Sequence, residues 1–303
     1  MTTVGSGDFS YEALDSWGAL PSGFVWGQIG SVSVDSNDRV YVFTRTEHPI
    51  MLFERDGRYV GTMGEGIIKD AHGISIGPDG SIFLVDRSEQ VVMKWDKDGK
   101  KLFELGNRGV ASDTGYADDD RTVKRRAGPF NYPTNVAFST GGDFYVSDGY
   151  RNAAVHKFDA EGKHLFSWGE PGVVSGRDKP GSFNLVHAVW EHKGKVYIAD
   201  RENGRVQIFT PQGEYVDMWT GFSQPTDFYI DDNDVVYMSE LGGRVTLLTL
   251  DGEIILQIGS PDDKVAEAGK FIAPHGIWVD SHGDFYVSEV LQGQRIQKFI
   301  RQR

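Results

Sequence analysis

The sequence predicts an all-β fold: a six-bladed β-propeller of four-stranded antiparallel blades, one domain spanning 1–303. Three observations predict it. One strand–turn–strand pattern recurs six times, no helical stretch interrupts it, and the two ends of the chain hold complementary parts of one unit.

The copies start near 30, 72, 134, 187, 226 and 275. Their first-strand, turn and second-strand segments are "GSVSVDSNDRVYVFTR", "HGISIGPDGSIFLVDR", "TNVAFSTGGDFYVSDGY", "HAVWEHKGKVYIADR", "TDFYIDDNDVVYMSE" and "HGIWVDSHGDFYVSE". Short runs of period-2 alternation joined by P-D-G, T-G-G-D or D-D-N-D are antiparallel hairpins. A third strand follows in each, such as "VVMKWD", "AVHKFD" or "RVQIFT", and then a fourth, such as "KLFELG" or "HLFSWG". The sixth copy has no fourth strand before Arg303, whereas "YEALDSWG" at 11–18 has the missing pattern. The expectation is that this segment pairs into the last blade and closes the ring, which removes open sheet edges.

Composition narrows the function. A charged share of 25% and a hydrophobic share of 39% are those of a globular protein, and 38 glycines suit many turns. Neither an apolar run of about 18 residues nor a basic-then-apolar leader is present, so a cytoplasmic protein is expected. With no cysteine, disulfides and thiolate ligands are excluded, and any transition metal must rest on His, Asp or Glu. A formal charge of −13 without a basic stripe argues against nucleic acid and membrane partners. The expected partner is a small-molecule or short peptide-like substrate, and the expected state a monomer or weak homo-oligomer.

The residue opening the innermost strand of each copy is Gly30, His72, Thr134, His187, Thr226 and His275. Histidine occupies alternate blades. In a six-bladed ring those three positions lie about 120° apart around the axis, so their imidazoles point at one spot. Three neutral imidazoles at roughly 2.0–2.1 Å with a fourth position open make a catalytic zinc site, although other divalent ions also suit imidazole. His48, His156, His164, His192 and His282 share no such register and are expected at the surface or at edges.

The second strands return to the face that carries the histidines and end at Arg45, Arg87, Tyr150, Arg201, Glu240 and Glu289. An arginine beside a metal suits a carboxylate substrate, because its planar fork binds two oxygens. Arg45 follows "VFT", with no acid before it, so no local carboxylate is expected to neutralise it. Arg87 is expected in a structural bridge with an acid, as Asp86-Arg87 and Asp200-Arg201 pairs commonly form. Tyr150 follows "SDG", in which Gly149 permits an unusual turn that aims the phenol inward. A nearby cation favours phenolate, which makes Tyr150 a usable general base. The run "ADDDRTVKRR" at 117–126 lies in the 107–132 connection, which reads as a solvated loop or a lid over the channel mouth.

These residues resemble a family. "FYVSDGYRNAAVHKFDAEGKHLFSWGE", "PGSFNLVHAVW" and "VYIADRENGRVQIF" look like peptidyl-α-hydroxyglycine α-amidating lyases, propeller enzymes with NHL-type repeats, and "HGISIGPDG" and "PHGIWVDSHGDFYVSE" fit the other histidine segments. The similarity runs through nearly the whole chain and is strongest over about 130–210. It implies zinc on His72, His187 and His275, Tyr150 as base, Arg45 for the substrate carboxylate, and Arg201 as a further pocket arginine. It also implies lyase chemistry, in which the C–N bond of a hydroxyglycine breaks to give an amide and glyoxylate. Two departures stand out: Gly276 replaces the acid that the family associates with structural Ca2+, and the family's disulfides are absent, with Arg151 following Tyr150. The sequence shows no copper monooxygenase pattern, so a peptide-hormone role is not expected. The leading expectation is therefore a zinc-dependent lyase on a carbinolamine-like or hydroxy-acid small substrate. A hydrolase or hydratase on the same three histidines is the alternative among enzymes, and a non-catalytic NHL-repeat scaffold the alternative outside them.

Overall fold

The computed structural model describes residues 2–14 and 16–302, and all regular structure among them is strand. Asp15, inside the segment expected to close the ring, lies outside the described residues, as do Met1 and Arg303. The architecture is a six-bladed β-propeller of antiparallel sheets, and pairing of the first strands with the last closes the ring. The innermost strands, in blade order, are Ile29–Val34, Ala71–Ile76, Pro133–Phe138, Val186–His192, Pro225–Ile230 and Pro274–Val279. Their second residues are Gly30, His72, Thr134, His187, Thr226 and His275, the register expected from the repeats.

Alternation makes the strands, and turn chemistry joins them. Asp35, Asp96, Asp231 and Asp280 each accept N–H groups from the residues two and four positions on, which folds the hairpin tip by local bonds. In the P-D-G turn, Gly80 takes φ +75°, a backbone that glycine adopts without steric cost.

The chain packs as two compact units, 1–76 with 226–303, and 77–225. In the first, Tyr11, Tyr237, Phe271, Phe285 and Phe299 share one core. In the second, Tyr145, Val155, Trp168, Phe183 and Phe209 share another, while Phe83, Phe130, Phe144 and Phe158 form a third cluster.

The structure departs from the sequence reading in three places. The closing strand is Phe9–Leu14 rather than 11–18, and Thr2–Ser6 pairs outside it, so the last sheet has five strands instead of four. The 170–183 insertion carries a short parallel pair, Glu170–Pro171 with Ser182–Phe183. His156, expected at the surface or at an edge, is only 2% exposed. Its Nε2 lies 3.3 Å from Asp148 Oδ2 and its Nδ1 2.7 Å from Ser167 Oγ. Its neighbours satisfy a ring that strand position alone placed outside.

Ring closure rests on buried aromatic contact as well as on strand pairing. Tyr11 is 0% exposed and meets Phe285 edge-on at 4.9 Å. Burial pushes its phenol above the ordinary range, so the hydroxyl stays protonated beside Tyr237. Tyr11→Ala is expected to lose about 3–5 kcal/mol of stability, read from the urea midpoint at unchanged slope. An unshifted midpoint would show that the closing strand adds little.

Candidate metal centre

Three inner strands begin with a histidine one residue inside their first hydrogen-bonded pair, and all three rings are buried, at 2%, 2% and 3% exposure for His72, His187 and His275. One ligand nitrogen from each lies within 4.8 Å of the others. A tetrahedral ion with bonds of about 2.0–2.1 Å sets its nitrogens about 3.4 Å apart, inside that limit.

Local packing explains how His275 is aimed. A Cβ on Gly30 would stand 2.5 Å from Ala71 O, and one on Gly276 would stand 2.8 Å from Ser31 Cα, so these strands approach more closely than any side chain permits. The Gly30 carbonyl thereby reaches His275 Nδ1 at 2.6 Å. A carbonyl only accepts, so Nδ1 carries the proton and Nε2 keeps the lone pair that a metal needs. The His72 ring stands edge-on to His275, with centroids 4.9 Å apart. Gly276 also leaves no room for a side chain.

The donor set fits a transition metal. All three candidate donors are imidazoles, one has its tautomer fixed by a second partner, and no carboxylate belongs to the group. Such a set suits zinc, copper or nickel over calcium or magnesium, which take oxygen ligands.

Within the first unit, Arg45 is held by three partners. Its Nε donates to Ala71 O at 3.1 Å and lies 3.2 Å from Asp70 Oδ1, while Nη1 donates to Gln28 Oε1 at 2.8 Å. The sequence reading excluded only a local carboxylate; the one that pairs with Arg45 is Asp70, distant in sequence. The same contacts fix the guanidinium beside the strand that carries His72.

Within the second unit, Tyr150 is the centre of a cluster. Its Oη lies 3.3 Å from His187 Nε2 and accepts a hydrogen bond from Arg201 Nη1 at 3.3 Å. Arg201 is steadied in turn by Glu202, 2.9 Å from its Nε. Arg87 stacks 4.6 Å above the Tyr150 ring, and Arg201 stands 5.2 Å from the same centroid. Sequence reasoning set Arg87 aside as a bridge residue and missed this contact. The signal was available, because Arg87 and Tyr150 both stand just past the end of a second strand.

Two more local readings change. Gly149 is not in the left-handed region; a Cβ there would stand 2.2 Å from Val186 N and O. Its role is to let the Tyr150 segment lie against the strand that carries His187. Asp200 pairs with Arg205 at 2.6 Å rather than with Arg201, which leaves Arg201 turned to Tyr150. The 107–132 connection is held beside this cluster: Arg151 stacks on Tyr116 at 4.7 Å and pairs with Asp118 at 2.8 Å, and Thr114 Oγ1 donates to Arg151 O.

The chain is similar to several known proteins. An NHL repeat matches residues 130–158. The mouse peptidyl-glycine alpha-amidating monooxygenase is 30% identical over 244 residues, which cover 70% of this chain and 23% of that protein. Peptidyl-alpha-hydroxyglycine alpha-amidating lyase 1 of Drosophila melanogaster is 26% identical over 305 residues, covering 91% of this chain and 53% of that one. The chain thus matches about a quarter of the mouse protein and about half of the fly lyase. Among solved structures, a streptogramin B lyase superposes with a TM-score of 0.65 at 13% identity, over 95% of this chain and 97% of that one, which shows the shared fold. The class is an NHL-repeat β-propeller. More narrowly, the chain is a relative of the peptidyl-α-hydroxyglycine α-amidating lyases.

Metal content tests the cluster directly. The purified protein is expected to hold about one zinc per chain, and the triple variant His72→Ala, His187→Ala, His275→Ala to hold almost none. After removal of bound metal by a chelator, zinc restored at a hundredfold excess over Kd should stabilise the native protein and not the triple variant, by about 2.7 kcal/mol in the linkage limit. Equal metal in both proteins would exclude the three histidines as ligands.

Proposed function

We propose that this protein is a zinc-dependent lyase that cleaves the C–N bond of an N-acyl-α-hydroxyglycine or a similar hydroxy acid, releasing an amide and glyoxylate. One observation carries the reading: the Tyr150 hydroxyl stands against a metal-candidate histidine and accepts a hydrogen bond from an arginine. That contact joins a proton acceptor to the place where a substrate hydroxyl would bind.

The bond changes balance without any co-reactant. The substrate hydroxyl gives its proton to Tyr150, its oxygen becomes the aldehyde oxygen of glyoxylate, and the C–N pair leaves with nitrogen, which takes a proton to become the amide. Arg201, donating to the phenol oxygen, fixes where that oxygen sits relative to the substrate hydroxyl. Arg45 and Arg201 are the residues we assign to the substrate carboxylate, Arg45 held for that task by Asp70 and Gln28. Arg87, stacked on the ring, restricts where the phenol points. A divalent ion on the three histidines would supply Lewis acidity toward the substrate's oxygens. Burial of those histidines limits access of competing water.

Glyoxylate release from an N-acyl-α-hydroxyglycine is the defining assay. Tyr150→Phe is expected to keep its zinc and lose turnover on the order of 100-fold or more, as for a missing general base. A fully active phenylalanine variant would remove Tyr150 from the chemistry. Running the reaction in oxygen-18 water separates lyase from hydrolase: the amide should carry no label, because its oxygen was already present in the acyl group, whereas hydrolysis of that acyl bond would put label into the released acid.

A further inference from the structure

Beside Tyr150, the second unit encloses a cavity of about 660 Å3. Gly149 and Tyr150 form one side, and the 107–132 and 170–183 insertions contribute the others through Val123, Pro171 and Val173. Phe183 and Leu185 add apolar surface, and Arg121, Thr122, Asn152 and Asn184 line the polar remainder. The carboxylate at its edge, Glu202, is taken up by Arg201 and by Gln224, whose Nε2 donates at 3.0 Å.

Leu185 is the informative residue. Its φ is +69°, a left-handed backbone that suits glycine and disfavours a branched side chain. Tyr132 and Gln224, each also one residue ahead of an inner strand, share that geometry at +65° and +60°. Each presents a side chain with a use: Tyr132 stacks under Arg151 at 4.4 Å, and Gln224 binds Glu202. Strain kept at a position where glycine would relieve it points to a side chain needed for its own sake. Leucine there serves the cavity. The opposite wall is fixed as well, since Asn203 donates to Gly172 O and accepts from Val174 N, both at 3.0 Å. Val173, 82% exposed, therefore stays as an apolar surface on a braced segment.

We propose that this cavity is the acyl subsite: it takes the amide-releasing half of an N-acyl-α-hydroxyglycine whose acyl group is aromatic or branched and apolar, with Leu185 and Val123 setting that preference. The inference rests on the lyase reading above, because Tyr150 in the wall puts the breaking C–N bond at the cavity's entrance. A substrate anchored by its carboxylate near the histidines then has one direction in which to extend.

Two inert glycine conjugates test it by calorimetry on the zinc-loaded protein. N-(phenylacetyl)glycine is expected to bind about tenfold more tightly than N-acetylglycine, the discrimination usual for an apolar group in a fitted pocket. Leu185→Gly and Val123→Ala should each cut that ratio to about twofold with zinc content unchanged, and Leu185→Gly should show no loss of thermal stability because its backbone strain is gone. Equal binding of both conjugates by the native protein, or a ratio intact in both variants, overturns the subsite alone. Failure of either conjugate to bind at all overturns the carboxylate anchoring, and the subsite with it.

Discussion

The hydrogen bond from His275 Nδ1 to the carbonyl of Gly30 is the contact on which the rest of the centre depends. It decides which nitrogen of the ring holds a proton, and so whether the ring is a ligand or a donor. It exists only because inner strands approach at Gly30 and Gly276, where any side chain would collide with a neighbouring backbone. Larger residues at those two places would move the strand, and the imidazole would move with it. Chemistry at the centre is therefore fixed by positions that carry no chemistry of their own.

Blades without an inner histidine show what that position does otherwise. Thr134 Oγ1 stands 3.0 Å from Ser147 O and 3.1 Å from Val186 O, and Thr226 Oγ1 bonds in the same manner to Ser239 O. A short hydroxyl residue stitches its strand to the next one. Histidine in the same register also reaches the next strand, as His275 Nδ1 does at the Gly30 carbonyl, and its longer side chain presents a second nitrogen besides. Alternation of short and long residues thus decides which of the six equivalent places project a donor beyond the strand contact.

Much of this was legible in the sequence. Repeat spacing gave the blade number, the register of Gly30 through His275, and the closing of the ring, because alternation and turn chemistry are local. Less visible were contacts made by the chain far from its own neighbours. Asp70 on Arg45 and Arg87 on Tyr150 join residues of successive copies, whose side-chain directions the repeat pattern does not specify. Gly149 was read as a turn former, since a sequence shows a glycine but not the strand lying 2.2 Å from its absent Cβ. The outermost strand, Thr2–Ser6, has no counterpart in the other copies, so comparison among them had nothing to match it to.

Blade three shows how a site can be read from the way one repeat differs from its siblings. Asp200, Glu240 and Glu289 end their second strands 0% exposed, and each pairs with an arginine of its own blade. In blade three the residue opposite Asp148 is Ala154, and His156 meets the acid instead. Asp148 also accepts the backbone N–H of Asn131 and the side-chain amide of Asn152, which lie on either side of the Tyr150 loop. An acid that elsewhere serves to brace a strand end here ties two loops around the proposed base. The metal-candidate histidines stand on strands, where position is rigid. The tyrosine stands on a loop, and a loop keeps a catalytic geometry only when something outside it supplies the rigidity. Asp148, buried and bonded on three sides, supplies that rigidity.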